Sequence, residues 1–328
     1  MATIKKKDYG EARDHHQELT NRLIETMEAG EATNWEKPWF TCSELPFNPV
    51  TGTRYKGVNA ISLMTAGFDD PRFLTFKGVQ ELSAETETPM HVKKGAKGFP
   101  VFKAMQVTYA DQAEGTDDAS AKGDTRTFWK MVYAGTVFNA SQIEGMTPHV
   151  VRERTFEPHE ELDTLSKALQ ARTGLEVVHS EQGRAYYSPS SHKVHMPNVE
   201  LFKDKDAYGD TLLHEFGHST GPTLKRDMSG TFGSASYAKE EFVAELTSVF
   251  MSSELGIPHS SQSHENHAAY MKSWLAALKG DKNFIFQAAS QASKATEFQI
   301  EHMKTYKLEM AMSKAQTVER KQEVGMTM

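Results

Sequence analysis

The feature that most constrains this 328-residue chain is His214-Glu-Phe-Gly-His218. On an α-helix, residues four apart lie on one face, so two histidines at that spacing can chelate one tetrahedral ion. The local pattern supports a helix over about 206–219. Tyr208, Leu212, Leu213 and Phe216 supply a buried flank, Asp204 or Asp206 can cap the start, and Gly221-Pro222 ends it. Glu215 lies about 100° round that helix from His214. From there its carboxylate can reach a water in the ion's open position and act as general base, the arrangement of zinc metallopeptidases. The chain has 14 histidines, so a chance pair is unremarkable and the context has to carry the reading.

A catalytic ion of this kind takes three protein ligands and keeps one position open. A second helix, about 236–255, offers Glu240, Glu241 and Glu245. Glu241 and Glu245 share one face, and Phe242, Leu246, Val249 and Phe250 form the apolar one. Glu241 is therefore the expected third ligand. Glu245, one turn later, is placed to accept the Nδ1 hydrogen bond of a ligand histidine. Tyr237 either donates to a developing oxyanion or is a core or capping tyrosine. Zn²⁺ is the expected ion, and a two-His, one-Glu set also takes Mn²⁺ or Co²⁺. Just ahead of the metal helix, Lys193–Pro197 reads as an edge strand. It either receives an extended peptide substrate by β-addition or is an ordinary edge.

Composition narrows the rest. The single cysteine, Cys42, excludes an internal disulfide framework and a Cys-rich zinc site. No run reaches the roughly 18 apolar residues of a membrane span. The basic start lacks the apolar core of a secretory signal, so the expected location is the cytosol. A net charge of −7 gives no global argument for nucleic acid, and any such argument must be local.

Locally there is one. Between residues 47 and 107, Arg54, Lys56, Arg72, Lys77, Lys93, Lys94, Lys97 and Lys103 face five acids, a net +3. Aromatic residues interleave with them, from Trp35 and Trp39 through Tyr55 to Phe102. Single-stranded nucleic acid is held by such mixtures, bases stacking on rings while phosphates meet Lys and Arg. A solvated basic patch around an aromatic core gives the same count. Recurrent Pro and Gly among short β-branched and aromatic runs suggest a small α+β domain, including strands near Phe99–Gln106 and Thr127–Phe138 joined by a polar, mobile loop over 109–125. A helix over 11–29 precedes it. After a boundary near 144–157 come a helix near 160–172, a strand pair near 175–178 and 184–187, and three or four helices ending near residue 312.

Several strings resemble ArdC-type antirestriction proteins, which conjugative plasmids and related mobile elements carry. In the N-terminal half these are Trp35-Glu-Lys-Pro-Trp39, Pro49-Val-Thr-Gly-Thr-Arg-Tyr-Lys-Gly-Val-Asn59, Pro71-Arg-Phe-Leu-Thr-Phe76 and Val92-Lys-Lys-Gly-Ala-Lys-Gly98. In the C-terminal half they are His214-Glu-Phe-Gly-His-Ser-Thr-Gly221, Phe232-Gly-Ser, Tyr237-Ala-Lys-Glu-Glu-Phe-Val-Ala-Glu-Leu246 and His267-Ala-Ala-Tyr-Met-Lys-Ser-Trp-Leu275. The resemblance spans roughly 9–305 and implies a single-stranded DNA-binding domain followed by a zincin-like metallopeptidase domain of gluzincin type.

The expected molecule is thus a two-domain α+β protein: 1–147 binding single-stranded DNA, 148–312 carrying the metal site, and 313–328 a disordered tail. Its expected DNA contacts are Trp35, Trp39, Arg54, Tyr55, Lys56, Asn59, Arg72, Lys93, Lys94 and Lys97. The partners are single-stranded DNA and a protein or peptide substrate linked to host restriction, with no membrane. The alternative is a DNA-binding antirestriction module whose ion is only structural.

Overall fold

The computed structural model describes residues 14–31, 44–110, 125–150, 157–231, 234–257 and 267–325. Trp35, Trp39, Phe232 and nearly all of the 109–125 loop lie outside them. The N-terminal half begins with α1 (His15–Glu31), whose Leu19, Leu23 and Met27 are buried along one face at helical spacing. After α2 (Val58–Met64) come β1 (Phe73–Thr75), α3 (Phe76–Glu85) and β2 (His91–Val92). The long strands β3 (Phe99–Ala110) and β4 (Thr125–Asn139) form an antiparallel ribbon, with β1 on the far side of β4. A bulge between Val101 and Phe102 breaks its register, and the short β5 (Ile143–Glu144) pairs with β2.

The C-terminal half opens with α4 (Pro158–Thr173) and a three-stranded sheet of β6 (Glu176–Ser180), β7 (Tyr186–Ser188) and β8 (Lys193–Pro197). The order is β6–β8–β7, with β6 parallel and β7 antiparallel to β8. This corrects two expectations. Residues 175–178 and 184–187 do not pair with each other, and Lys193–Pro197 is the central strand, so no peptide can add to it. Its Val194 and Met196 are fully buried and anchor the sheet on the helices, which makes it the middle of the layer.

Four helices follow: α5 (Lys205–Ser219), α6 (Ala235–Leu255), α7 (His267–Gly280) and α8 (Phe284–Gly325). Asp204 caps α5 by accepting from the Ala207 N–H at 2.8 Å, and Ser234 caps α6 by accepting from the Tyr237 N–H at 3.2 Å. The segment from Ser313, expected to be disordered, instead continues α8 to Gly325. It contains neither Gly nor Pro before that glycine, so nothing in it breaks the helix. No helix among the described residues is long and apolar enough to cross a membrane.

Two cores hold these layers. One lies between α4, the β6–β8–β7 sheet, α5 and the end of α6. The larger crosses the middle of the chain: Leu19, Leu23, Met27, Ile61, Met64 and Phe102 pack with Phe242, Leu246, Phe250, Trp274, Phe284 and Phe286. The helix that carries Glu241 is thus packed on the N-terminal half through its opposite face.

Candidate metal centre

Helices α5 and α6 cross closely because Gly217 offers no side chain. A Cβ there would stand 3.0 Å from the Ala244 Cα and 3.1 Å from its carbonyl oxygen. This contact brings His214, His218 and Glu241 together, all buried, with ligand atoms within 4.8 Å of one another. His214 Nε2 and His218 Nε2 are 3.2 Å apart. Glu241 Oε2 lies 3.4 Å from the first, and Oε1 lies 3.6 Å from the second. Zinc bonds of about 2.0–2.2 Å in a tetrahedron place neighbouring ligand atoms about 3.3–3.6 Å apart. The donor set therefore fits a divalent ion in both chemistry and spacing.

The surrounding charges fit as well. Burial by itself pulls both imidazoles down. For His214, the carboxylates of Glu241 and Glu245 reverse this and hold it up at about 9. For His218, Glu241 and Glu240 raise it well above the usual histidine range. Burial also pushes Glu241 up, but the two histidines outweigh it and hold its carboxyl well below the usual range. A pocket that draws protons onto two buried imidazoles is one built around positive charge.

Glu215 points to the same place with a different character. It is 5% exposed, and burial raises its pKa, with only partial compensation from His214 and His218. Its Oε2 has no hydrogen-bond partner among the described residues. Such a buried orphan oxygen needs a ligand or water to satisfy it. Glu245 Oε2 stands 3.7 Å from His214 Nδ1. Tyr237 begins the same α6 face one turn before Glu241. Glu240, offered by the sequence but given no role, lies 3.1 Å from His218 Nδ1.

The expected DNA contacts separate into groups. Lys93, Lys94 and Lys97 are exposed on the turn after β2, with Lys93 Nζ donating to the Ser141 carbonyl at 2.8 Å. Arg54 pairs with Glu254 on α6, and Lys56 pairs with Glu297 on α8 at 2.6 Å. Three others serve the fold. Arg72 is buried and donates to Asp70 at 2.9 and 2.7 Å and to the Thr147 carbonyl at 2.7 Å. Asn59 clamps the Phe102 backbone through bonds of 2.7 and 2.8 Å. Tyr55 donates to the Phe73 carbonyl at 3.2 Å, and burial pushes its pKa up to about 12.

The sequence reading passed over Trp129 and Tyr133 on β4, which are 70% and 44% exposed. The signal was present: period two sets Trp129, Met131 and Tyr133 on one face of that strand, where Met131 packs against the larger core while Trp129 stays exposed.

Comparison with known proteins agrees with both halves. Residues 13–138 match the family described as the N-terminal domain of anti-restriction factor ArdC, and residues 164–291 match a zincin-like metallopeptidase family. The metal-free crystal structure of antirestriction ArdC protein from the R388 plasmid superposes with a TM-score of 0.69 at 30% identity, covering 89% of this chain and 99% of that one. Its Mn(II)-bound structure gives 0.66 at 31% identity, covering 89% and 98%. The chain is also 39% identical over 312 residues to an Escherichia coli DNA primase TraC. That match takes in 91% of this chain but only 27% of the primase. An uncharacterized protein, y4eC of Sinorhizobium fredii, is 34% identical over 87% of this chain and 91% of its own length.

Fold and sequence thus define a two-domain α+β protein in which an ArdC N-terminal domain precedes a zincin-like metallopeptidase domain. The chain belongs to the ArdC family of antirestriction proteins.

Proposed function

We propose that this chain is an antirestriction protein that binds single-stranded DNA through its N-terminal half and holds a catalytic divalent ion on His214, His218 and Glu241. The observation that carries the second part is the buried triangle of ligand atoms with the orphan oxygen of Glu215 beside it. Zn²⁺ is the ion proposed, and the same donors accept Mn²⁺ or Co²⁺. Bound there, it would supply Lewis-acid activation of water and of a carbonyl group. Glu215 takes the proton of the attacking water; its burial and raised pKa suit a base that must later give that proton up. Tyr237 is the proposed donor to the developing oxyanion, and Glu245 orients His214. A purely structural ion would leave the burial of Glu215 without a purpose. The substrate proposed is an extended peptide, and its edge is β7, which packs beside α5, rather than the enclosed β8.

For DNA, the surface proposed combines Lys93, Lys94 and Lys97 with the exposed rings of Trp129 and Tyr133. Trp35 and Trp39 stay in the proposal on the family resemblance, and Arg54 and Lys56 as cations that would exchange acidic partners for phosphates. Likeness to part of a DNA primase supports a nucleic-acid role, although the chain matches only that part.

The test uses the full chain. Affinity for a single-stranded oligonucleotide should fall with salt at a slope of about −0.7 per neutralised phosphate. Replacing Lys93, Lys94 and Lys97 together should flatten the slope, and Trp129→Ala should weaken binding by about 1–3 kcal/mol with the slope unchanged. A preference for duplex would overturn the DNA reading. In parallel, Glu215→Ala should retain stoichiometric ion but lose peptide cleavage. If that variant cleaved as the parent does, the base would be misassigned.

A further inference from the structure

The centre contains a buried ion pair that the chemistry above does not use. Just after α5 the chain turns sharply: the Leu224 N–H reaches the Thr220 carbonyl at 3.0 Å, and the Arg226 N–H reaches the Gly221 carbonyl at 2.9 Å. Lys225 takes a left-handed conformation, φ 55°, to make the turn. It sends the Arg226 side chain back beneath the end of the metal helix. There Arg226 is 9% exposed and donates four hydrogen bonds. Nε reaches Glu240 Oε2 at 2.9 Å, and Nη2 reaches Glu240 Oε1 at 2.8 Å. Nη1 reaches Thr220 Oγ1 at 2.7 Å, and Nη2 reaches the Gly217 carbonyl at 2.7 Å. Glu240 is itself 8% exposed, and its Oε1 accepts from His218 Nδ1 at 3.1 Å.

Resting on the metal-site reading, we infer that Glu240 is the positioning residue of His218 and that Arg226 holds it in that role. A carboxylate on Nδ1 keeps the proton on that nitrogen, so the lone pair of Nε2 faces the ion. The Arg226 fork fixes both carboxylate oxygens in one orientation, and its bonds to Gly217 and Thr220 tie that orientation to the helix bearing His218. Arg226 also cancels the charge of Glu240, so the contact orders the imidazole without adding net negative charge to a pocket that already contains Glu215, Glu241 and Glu245. A role in stability alone explains less, because a buried ion pair is often no more stabilising than an apolar pair of similar volume.

Two neutral double variants of the full chain separate the roles. Arg226→Met with Glu240→Leu removes the pair and the acceptor for His218. Arg226→Met with Glu240→Gln removes the charges but keeps a carbonyl oxygen within reach of Nδ1. Zn²⁺ affinity is measured by chelator competition, the visible spectrum of the Co²⁺-loaded form reports ligand geometry, and melting of the metal-free protein reports folding. The Leu variant should bind Zn²⁺ about 10- to 100-fold more weakly than the parent, as loss of such outer contacts generally does. The Gln variant should bind Zn²⁺ more tightly than the Leu variant but more weakly than the parent, the shortfall measuring the orientation that Arg226 supplies. Equal affinities for the two would overturn the inference, whatever their melting temperatures. Should the Leu variant not fold, Arg226→Met with Glu240→Ala gives the same comparison against Gln. The metal reading fails separately: a parent chain that takes up no stoichiometric Zn²⁺, or a His218→Ala variant that still does, would refute the site itself.

Discussion

At the scale of single residues, what can be read in advance is chemistry fixed by local geometry. His214, Glu215 and His218 are set by helix periodicity, and Glu241 follows from the need for a third ligand on a neighbouring helix. The proposed ligand and its supporting carboxylate differ in a measurable way. Changing His214, His218 or Glu241 to Ala should abolish stoichiometric ion. Glu245→Ala should weaken affinity by only about 10- to 100-fold, since its carboxylate meets an imidazole rather than the ion. Metal analysis after dialysis decides between them, and a reversed order for Glu241 and Glu245 would mean the register on α6 is misread. The place of Glu240 was not legible. It depends on Arg226, whose return beneath α5 is set by a left-handed residue that no periodicity announces. Arg72 and Asn59 show the complementary limit: a residue type shows what a side chain can bond, not whether the fold already uses it, as it does in both.

At the scale of elements, the longer helices and the long hairpin were visible because each has its own period, whereas the short helices α2 and α3 and the strand order were not. Only packing decides that Lys193–Pro197 lies between two partners. The close crossing of α5 and α6 is the contact on which the site depends, and it rests on Gly217. Gly217→Ala gains about 1 kcal/mol of helix propensity. Its methyl group meets backbone of Ala244 at 3.0–3.1 Å, and overpacking of that kind costs about 1–3 kcal/mol. The helices must separate by a few tenths of an ångström, which moves two ligands away from the third. The variant is therefore expected to melt at or below the parent's temperature and to bind Zn²⁺ more weakly. Adding Ala244→Gly would not relieve a clash with backbone, so the double variant should not recover the affinity. Affinity unchanged in Gly217→Ala would show that the crossing does not set the ligand spacing.

At the scale of the molecule, the question is whether the two halves behave as separate bodies. The sequence suggests a boundary near residue 147 from its composition. The larger core nevertheless draws on both sides: Leu19, Leu23, Met27, Ile61, Met64 and Phe102 are covered by side chains of α6, α7 and α8. Fully burying a large apolar side chain contributes about 1.5–3 kcal/mol. Losing half the cover of these six would remove about 5–9 kcal/mol, comparable with the whole stability of about 5–15 kcal/mol of an ordinary domain. A fragment of 1–147 is thus expected to be unfolded or aggregated, which is why DNA binding is best measured on the full chain. The same coupling gives a test by hydrogen exchange. Free Zn²⁺ at a hundred times its dissociation constant stabilises the folded state by about 2.7 kcal/mol. If the shared core makes unfolding cooperative, the slowest-exchanging amides of α1 and α2 should gain that protection along with those of α5 and α6, although α1 and α2 contribute nothing to the ion's site. Removing the ion with a chelator should reverse both together. Protection that rose in α5 and α6 but left α1 and α2 unchanged would show two independent bodies that merely touch.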